Sequence, residues 1–233
     1  MTVKILFHLL PAVVVLIVIY LIYAGIPAAA LRAANALRFK VSKHPEKILY
    51  LTFDDGPDAN YTGKLLDLLA ENQIHATFFT VADFAQNNPE LIQRMKNEGH
   101  SIACHSLTHK CAMFQGPRET RKDLARSLNI MKRLGVDVKY YRAPWGLYNL
   151  TLIRELKKRH IQRVIWNVMI GDWSGRVTVD TLVHRLLSRV RNEAVICLHD
   201  GRGTDHAPAR TIKTLETVLP ELKKQGYEFK TFK

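Results

Sequence analysis

Two adjacent carboxylates and a pair of histidines are the side chains whose types and spacing suggest chemistry. Asp54 and Asp55 follow an apolar stretch and precede a Gly-Pro turn. Two like charges this close are costly unless a cation separates their roles. His105 and His109 stand four positions apart, a spacing suited to shared metal coordination, although a chain with ten histidines contains some such pairs by chance. Together these residues predict one carboxylate on a metal ion and one free to act as a base.

The elements that must position these residues are short strands that alternate with longer amphipathic helices. From Lys47 onward this alternation predicts βα units and a parallel sheet. Seven strands are predicted, at Ile48–Phe53, Ala76–Val81, Ser101–Cys104, Val138–Arg142, Val164–Met169, Ala194–Leu198 and Tyr227–Phe232.

The polar residues of interest cluster at one end of these strands. Each stands at or just after the C-terminal end of a predicted strand: Asp54, Asp55, His105, Arg142, Asp172 and His199. In a βα barrel these strand ends form one rim, and enzymes of this architecture build their active sites there. We therefore expect these residues to meet in one pocket.

Five ordered motifs within residues 47–233 resemble those of the polysaccharide deacetylase family, also called carbohydrate esterase family 4 or the NodB homology domain. The motifs are Thr52–Pro57, His105–His109, Arg142–Gly146, Asp172-Trp173 and Leu198–Asp200. The resemblance implies an α/β fold, a distorted (β/α)7-type barrel, and a divalent metal that is often zinc, with cobalt or another ion as alternatives. It also implies a hydrolase that removes N-acetyl groups from chitin-like or peptidoglycan substrates and releases acetate.

By matching position, the resemblance assigns the metal ligands and the base. Asp55, His105 and His109 would bind the metal, and three protein ligands with open positions are typical of catalytic zinc. Asp54 would be the general base that activates the water. Arg142 would hold Asp54 ionised through a charge-assisted hydrogen bond.

The acid and the oxyanion donor are assigned in the same way. His199 would protonate the leaving amine, and Asp172 would pair with His199 and raise its pKa. Trp145 would offer a backbone N–H group to the developing oxyanion.

Three further residues are assigned to the substrate pocket, namely Trp173, Cys197 and Leu198. Trp173, just after Asp172, is predicted as a platform for a sugar ring rather than a core aromatic, whereas Trp166 lies in mid-strand and is predicted to be core. The family usually has a Leu that lines the pocket for the acetyl methyl group where this chain has Cys197, and Cys197 and its neighbour Leu198 are both assigned to substrate binding. Met169 replaces an earlier Asp that the family often carries.

The N-terminal segment predicts a membrane anchor. Ile5–Ile26 runs for 22 residues with His8 as its only ionisable side chain, and about 20 apolar residues span a bilayer as a helix. This run is too long for a cleaved signal, although Ala28–Ala30 would suit cleavage. We therefore predict an anchor or signal-anchor at 1–26, a linker at 27–46 and a catalytic domain at 47–233.

The orientation of this anchor rests on two conflicting observations. Four basic residues follow the apolar run and only Lys4 precedes it, which by the positive-inside rule favours a cytoplasmic domain. The wall glycan that the family resemblance implies favours an extracellular domain. We predict a single-pass protein of the cell membrane with an extracellular catalytic domain.

Composition limits the other partners. The net charge of +13 attracts polyanions, but the basic residues lie on predicted helix faces rather than beside base-stacking aromatics, so no nucleic-acid module is predicted. Three cysteines without C-x-x-C spacing suggest neither a disulfide framework nor a thiolate zinc site. No segment indicates an obligate protein partner. Two alternatives stay open: a deacylase of a lipid-linked amino sugar at the membrane, and an inactive sugar-binding module.

Overall fold

The computed structural model describes the backbone of residues 2–41 and 47–232, and the side chains of residues 11–35 and 47–232. The strands are β1 (Ile48–Asp54), β2 (Thr77–Thr80), β3 (Ser101–Cys104), β4 (Tyr140–Tyr141), β5 (Gln162–Arg163), β6 (Val168–Met169), β7 (Ala194–His199) and β8 (Glu228–Phe229). The helices are α1 (Thr2–Tyr20), α2 (Ile26–Val41), α3 (Thr62–Glu71), α4 (Ala82–Asn87), α5 (Pro89–Asn97), α6 (Pro117–Arg133), α7 (Leu150–Lys158), α8 (Val179–Arg189) and α9 (Ala207–Lys224).

The strands form one parallel sheet that curls into a half barrel with helices around it. Its order is β5-β4-β3-β2-β1-β7-β6, and β8 pairs with the beginning of β1. The register places Asp54 beside Phe79 of β2 and beside His199 of β7. The ends of β1 and β7 therefore meet at one point of the rim.

Alternation along the strands separates the core from the site. Leu49, Leu51 and Phe53 of β1 pack in the core between the sheet and its helices. Because successive side chains of a strand point to opposite faces, Thr52 and Asp54 lie on the inner face of the half barrel. The apolar side of β1 thus holds the strand in place while its inner side carries polar groups.

The predicted strand Val164–Met169 is the largest departure from the sequence-based expectation. Strand β6 keeps only its last two residues, and β5 lies just before its start. β5 and β6 are the two edges of the sheet, so residues 164–167 must cross the open side of the half barrel. Trp166 was predicted to be core, but on this crossing it is half-buried and lines the central cavity.

The N-terminal segment is helical over a longer range than the predicted anchor. A π-helical turn, Leu21–Gly25, joins α1 to α2. Pro11–Asn35 is long and apolar enough to cross a membrane and is mostly exposed. The predicted linker 27–46 is helical as far as Val41, because the run Ile26–Val41 favours helix with its alanines and leucines, and residues 42–46 lie outside the described residues.

Candidate active site

Asp55, His105 and His109 form a compact cluster just beyond β1 and β3. The Oδ1 atom of Asp55 lies 3.3 Å from Nε2 of His105 and 2.9 Å from Nε2 of His109. One donor atom from each residue lies within 4.8 Å of the other two. Within the described part of the chain, Asp55 Oδ1 is buried and has no hydrogen bond of acceptable geometry. Two imidazoles and one carboxylate are a donor set that suits a divalent transition metal.

The backbone at this cluster adopts strained conformations. Asp55, Ser106 and His109 have φ angles of 73°, 72° and 59°, which lie in the left-handed region that residues with a Cβ rarely enter. Such conformations persist where the surrounding structure enforces them, commonly at functional sites. These strained conformations therefore indicate that the positions serve the placement of their side chains rather than local stability.

A backbone carbonyl orients the first histidine. Nδ1 of His105 lies 2.7 Å from the Arg142 carbonyl oxygen, which can only accept a hydrogen bond. Nδ1 must therefore carry a proton, so in the neutral ring the lone pair is on Nε2, the nitrogen that faces Asp55. Partners of this kind fix the tautomer of metal-binding histidines.

Asp54 is held by a buried arginine. Arg142 is fully buried and its Nη1 donates to Asp54 Oδ1 at 2.5 Å and to Thr52 Oγ1 at 2.8 Å. The Arg142 guanidinium also lies 3.9 Å from the centre of the Phe79 ring. A charge buried this deeply needs a charged partner. The pair therefore favours an ionised Asp54 carboxylate.

Cys197 and Leu198 behave differently from each other. Cys197 is buried on the inner face of β7, and its thiol donates to Asp54 Oδ2 at 3.4 Å. Leu198 points to the opposite face and packs in the core behind the sheet, so its assignment to the substrate pocket was wrong. The reason is the two-residue repeat of a strand, which cannot place neighbouring side chains on one face.

His199 is paired with a fully buried carboxylate. Nδ1 of His199 lies 3.0 Å from Asp172 Oδ1, and the His199 backbone N–H donates to Asp172 Oδ2 at 2.8 Å. Thr211 donates a further hydrogen bond to Oδ2. Burial lowers the pKa of His199, but the charge and hydrogen bond of Asp172, with the charges of Asp55 and Asp54, raise it to about 9. His199 is therefore protonated at neutral pH.

A close-packed support beneath Asp55 was not anticipated from the sequence. The carboxyl of Asp200 accepts a hydrogen bond from Thr62 at 2.7 Å and lies against Gly56. A Cβ at Gly56 would stand 2.1 Å from that carboxyl, and one at Gly201 would stand 2.4 Å from the Asp55 carbonyl oxygen. The glycines next to the two aspartates therefore permit a backbone approach that no other residue allows.

The clusters share one cavity of about 370 Å³. Trp145 and Trp173 stand at its mouth, 52% and 41% exposed, and their rings contact His109 and His199 respectively. Sequence reasoning missed five other lining residues, which are Arg32, Trp166, Met169, Arg202 and Gly203. From the sequence alone, Trp166 is predicted to be core, and Met169 is only a departure from the family pattern. Arg32 is predicted there only as one of the charges after the anchor.

Comparison with known proteins gives consistent matches. A family model described as polysaccharide deacetylase matches residues 41–164. The chain is 34% identical over 188 residues to a peptidoglycan-N-acetylglucosamine deacetylase of Bacillus cereus, covering 80% of this chain and 86% of that one. It is 32% identical over 188 residues to a chitooligosaccharide deacetylase of Sinorhizobium fredii, covering 77% and 87%.

A solved structure supports the same relation. The family 4 acetyl xylan esterase from Clostridium thermocellum, determined in complex with a cobalt ion, superposes with a TM-score of 0.70 at 31% identity. The match covers 79% of this chain and 88% of the esterase. The half barrel is therefore an architecture that in a similar protein accompanies a bound cobalt ion.

Proposed function

The chain belongs to the polysaccharide deacetylase family and is a hydrolase, and from this premise we propose that it removes N-acetyl groups from amino-sugar glycans in a metal-dependent reaction that releases acetate. The observation that carries the proposal is the arrangement around the Asp55–His105–His109 cluster. Asp54 and His199 line the same cavity as this cluster. Asp54 is paired with Arg142, and His199 is paired with Asp172. A ligand cluster, a carboxylate and a protonated imidazole are the groups that amide hydrolysis requires.

The fit of a divalent metal rests on the donor atoms. Asp55 Oδ1 and Nε2 of both histidines would hold it, and the orphaned state of the buried Oδ1 atom supports a cation at that place. When bound, such an ion supplies Lewis-acid chemistry, because it polarises the acetyl carbonyl and lowers the pKa of a water. Zinc is our first expectation, and cobalt or another divalent ion remains compatible with the same donors.

The chain's own groups then move the protons. Asp54 accepts a proton from water, whose oxygen bonds to the carbonyl carbon of the acetyl group. His199 gives its proton to the sugar nitrogen as the C–N bond breaks, and the products are acetate and a free amine. Arg142 keeps Asp54 ionised for the first step, and Asp172 keeps His199 charged for the second. The backbone N–H of Trp145 is proposed to stabilise the oxyanion.

The substrate class is inferred from the relatives and from the mouth of the site. Curated relatives carry the names peptidoglycan and chitooligosaccharide deacetylase. Exposed aromatic rings such as Trp145 and Trp173 suit stacking against sugar rings. An inactive sugar-binding module is the weaker alternative, because it would not need the buried base and acid pairs.

We further propose that the N-terminal helix anchors the enzyme in the cell membrane as a single span. The helix leaves large apolar side chains exposed from Val13 to Ile22, and contiguous exposed apolar surface is unusual on soluble monomers. The anchor would hold the catalytic domain close to glycan at the membrane surface, with the extracellular side as our assignment.

Asp54→Asn tests the proposed function. The amide keeps an oxygen that accepts from Arg142 but cannot take a proton, so acetate release from N-acetylglucosamine oligomers should fall about 10²–10⁴-fold while bound metal stays. Asp137→Asn, at an exposed site before β4, is the matched control and should keep full activity. Unchanged acetate release by Asp54→Asn would remove the residue from its role, and acetate release only from acetylated xylan would change the substrate class.

A further inference from the structure

The helix α2 packs against the catalytic domain along one face. Ala24 in the preceding π-helical turn and Ala28 in α2 are buried, and Leu31, half-buried, packs beside the core cluster that contains Tyr141 and Tyr148. These positions are spaced by three and four residues, so they lie on one side of a helix. The small alanines allow the close contact, and a linker that only tethered the domain would not need such a face.

The same face reaches the wall of the active-site cavity. Nη2 of Arg32 donates to the Trp145 carbonyl oxygen at 2.9 Å, and Nδ2 of Asn35 donates to the Trp166 carbonyl oxygen at 3.0 Å. Trp145 and Trp166 both line the cavity, and the Arg32 side chain lines it too. Part of the substrate-binding site is therefore made by residues that continue directly from the apolar helix.

Because the apolar helix continues directly into the cavity wall, its length sets the distance from the cavity to a membrane. Tyr23, near the end of the apolar run, donates its hydroxyl proton to the Gln115 carbonyl oxygen at 3.2 Å, and its oxygen lies 3.2 Å from the Thr151 hydroxyl. Arg32 is nine positions further, and a helix rises 1.5 Å per residue, so the cavity wall stands about 14 Å beyond Tyr23. Phe114, beside Gln115, is 80% exposed, as expected for an aromatic side chain at a membrane interface.

The charges at the cavity mouth favour an anionic group beside the acetylated sugar. Arg32 is exposed and uses one of its donors on the Trp145 carbonyl. Arg202 is half-exposed and stands 3.9 Å from Asp55 Oδ2. A guanidinium presents five N–H donors in a geometry that matches phosphate, so each of these arginines has donors left for a ligand.

We propose that α2 is a functional wall of the site and that the substrate is an amino sugar joined through phosphate to a membrane lipid, with Arg32 and Arg202 binding the phosphate. The lipid tail would stay in the bilayer that holds the apolar helix, while the sugar reaches the Asp55–His105–His109 cluster. This inference rests on the proposed N-deacetylase function and narrows its substrate class. Arg32, which lies outside the five sequence motifs, would then determine substrate specificity.

The test uses the full chain, loaded with zinc and reconstituted in phosphatidylcholine vesicles. Acetate release is compared for three probes: N-acetylglucosamine joined by phosphate to a long polyprenol in the vesicle, soluble N-acetylglucosamine 1-phosphate, and tetra-N-acetylchitotetraose. We expect kcat/KM to be at least about tenfold higher for the lipid-linked probe. In Arg32→Gln the ratio of lipid-linked to chitotetraose kcat/KM should fall about tenfold, the order expected for one lost charged hydrogen bond.

Two further variants separate binding from structure. Arg32→Lys keeps the charge and should restore part of the ratio, and it serves if the glutamine variant unfolds. Arg126→Gln, exposed on α6, should leave the ratio and the activity unchanged. An equal loss for all probes in Arg32→Gln would mean that Arg32 only holds Trp145, which overturns the proposal.

The remaining outcomes distinguish this inference from the function on which it rests. Equal rates on the soluble phosphate and the lipid-linked probe would exclude the membrane lipid. Preference for chitotetraose would overturn the inference and keep the N-deacetylase. No acetate from any probe with zinc present would remove both.

Discussion

Asp54 and His199 stand side by side at the rim, because they are register partners at the ends of the parallel strands β1 and β7. A carboxylate oxygen of Asp54 and a ring nitrogen of His199 lie within 4.8 Å of each other. Each is bound to a different partner of opposite charge, Arg142 for Asp54 and Asp172 for His199. One strand pairing thus brings the proposed proton acceptor next to the proposed proton donor.

The pairing of His199 with Asp172 predicts the alkaline limit of activity. With a pKa of about 9, His199 is protonated at neutral pH and loses its proton as the pH rises through about 9, so kcat should fall above that value. Asp172→Asn removes the carboxylate and should move the alkaline limb toward the ordinary histidine pKa of about 6.5 or below. A pH profile of kcat for both proteins measures this shift. An alkaline limb that stays in place in the variant would remove His199 from the role of acid.

The same pair links stability to pH. The pKa of His199 in the folded protein lies above its unfolded value, so the pair stabilises the fold fully below about pH 6.5 and this contribution disappears as the pH rises through about 9. The gap in melting temperature between the native protein and Asp172→Asn should therefore narrow from pH 6 to pH 10. A gap that widens with pH would contradict the sign of the shift.

The ligand cluster predicts the loss of metal in single variants. His109→Ala, His105→Ala and Asp55→Ala each remove one of three donors, which leaves too few to hold an ion in an open site. Elemental analysis of the purified proteins should find one metal per native chain and much less in each variant. His184→Ala, exposed on α8, is the matched control. Stoichiometric metal in all three ligand variants would disprove the cluster as the binding site.

The contact between Gly201 and Asp55 predicts a glycine requirement. In Gly201→Ala the new Cβ would stand 2.4 Å from the Asp55 carbonyl oxygen. Relief of this clash requires the Asp55 backbone to move, which would displace its metal-binding carboxylate. Metal affinity and melting temperature should both fall. Gly63→Ala in α3 meets nothing closer than 3.8 Å and should be neutral or slightly stabilising. Metal titrations that give equal affinities for the two variants would show that the close approach has no effect on Asp55.

The side of the membrane that carries the catalytic domain can be tested directly. Protease added to intact spheroplasts should digest residues 47–233, because we propose an extracellular domain that acts on glycan at the outer membrane surface. Complete protection, with digestion only after lysis, would place the domain in the cytoplasm, as the basic residues after the apolar run favour.

Much of the site was predictable because its residues follow strands. The strand Ser101–Cys104 has the predicted bounds, and β1 and β7 each extend one residue further, to Asp54 and His199. The edge strands β5 and β6, and β4 next to β5, are only two residues long, because strands at the margin of a half barrel pair over a short stretch before the chain turns away. The apolar runs in the sequence therefore do not predict how short these strands are.

The role of α2 could not be read from the sequence. Arg32 and Asn35 meet Trp145 and Trp166 across separations of 113 and 131 residues, and no local pattern encodes such contacts. The error at Leu198 had a local remedy, since alternation from His199 already places Leu198 on the other face. The sequence predicts the Gly-Pro turn after Asp55, but the contacts of Gly56 with Asp200 and of Gly201 with Asp55 depend on the tertiary structure.

The central claim is that a metal held by Asp55, His105 and His109 supports hydrolysis of an N-acetyl group. The most direct measurement is acetate release by the full chain from tetra-N-acetylchitotetraose and from the lipid-linked sugar, before chelation, after chelation, and after addition of zinc or cobalt. The account predicts acetate release that chelation abolishes and either metal restores. Acetate release that survives complete removal of metal, or its absence from both substrates with metal restored, would contradict the account.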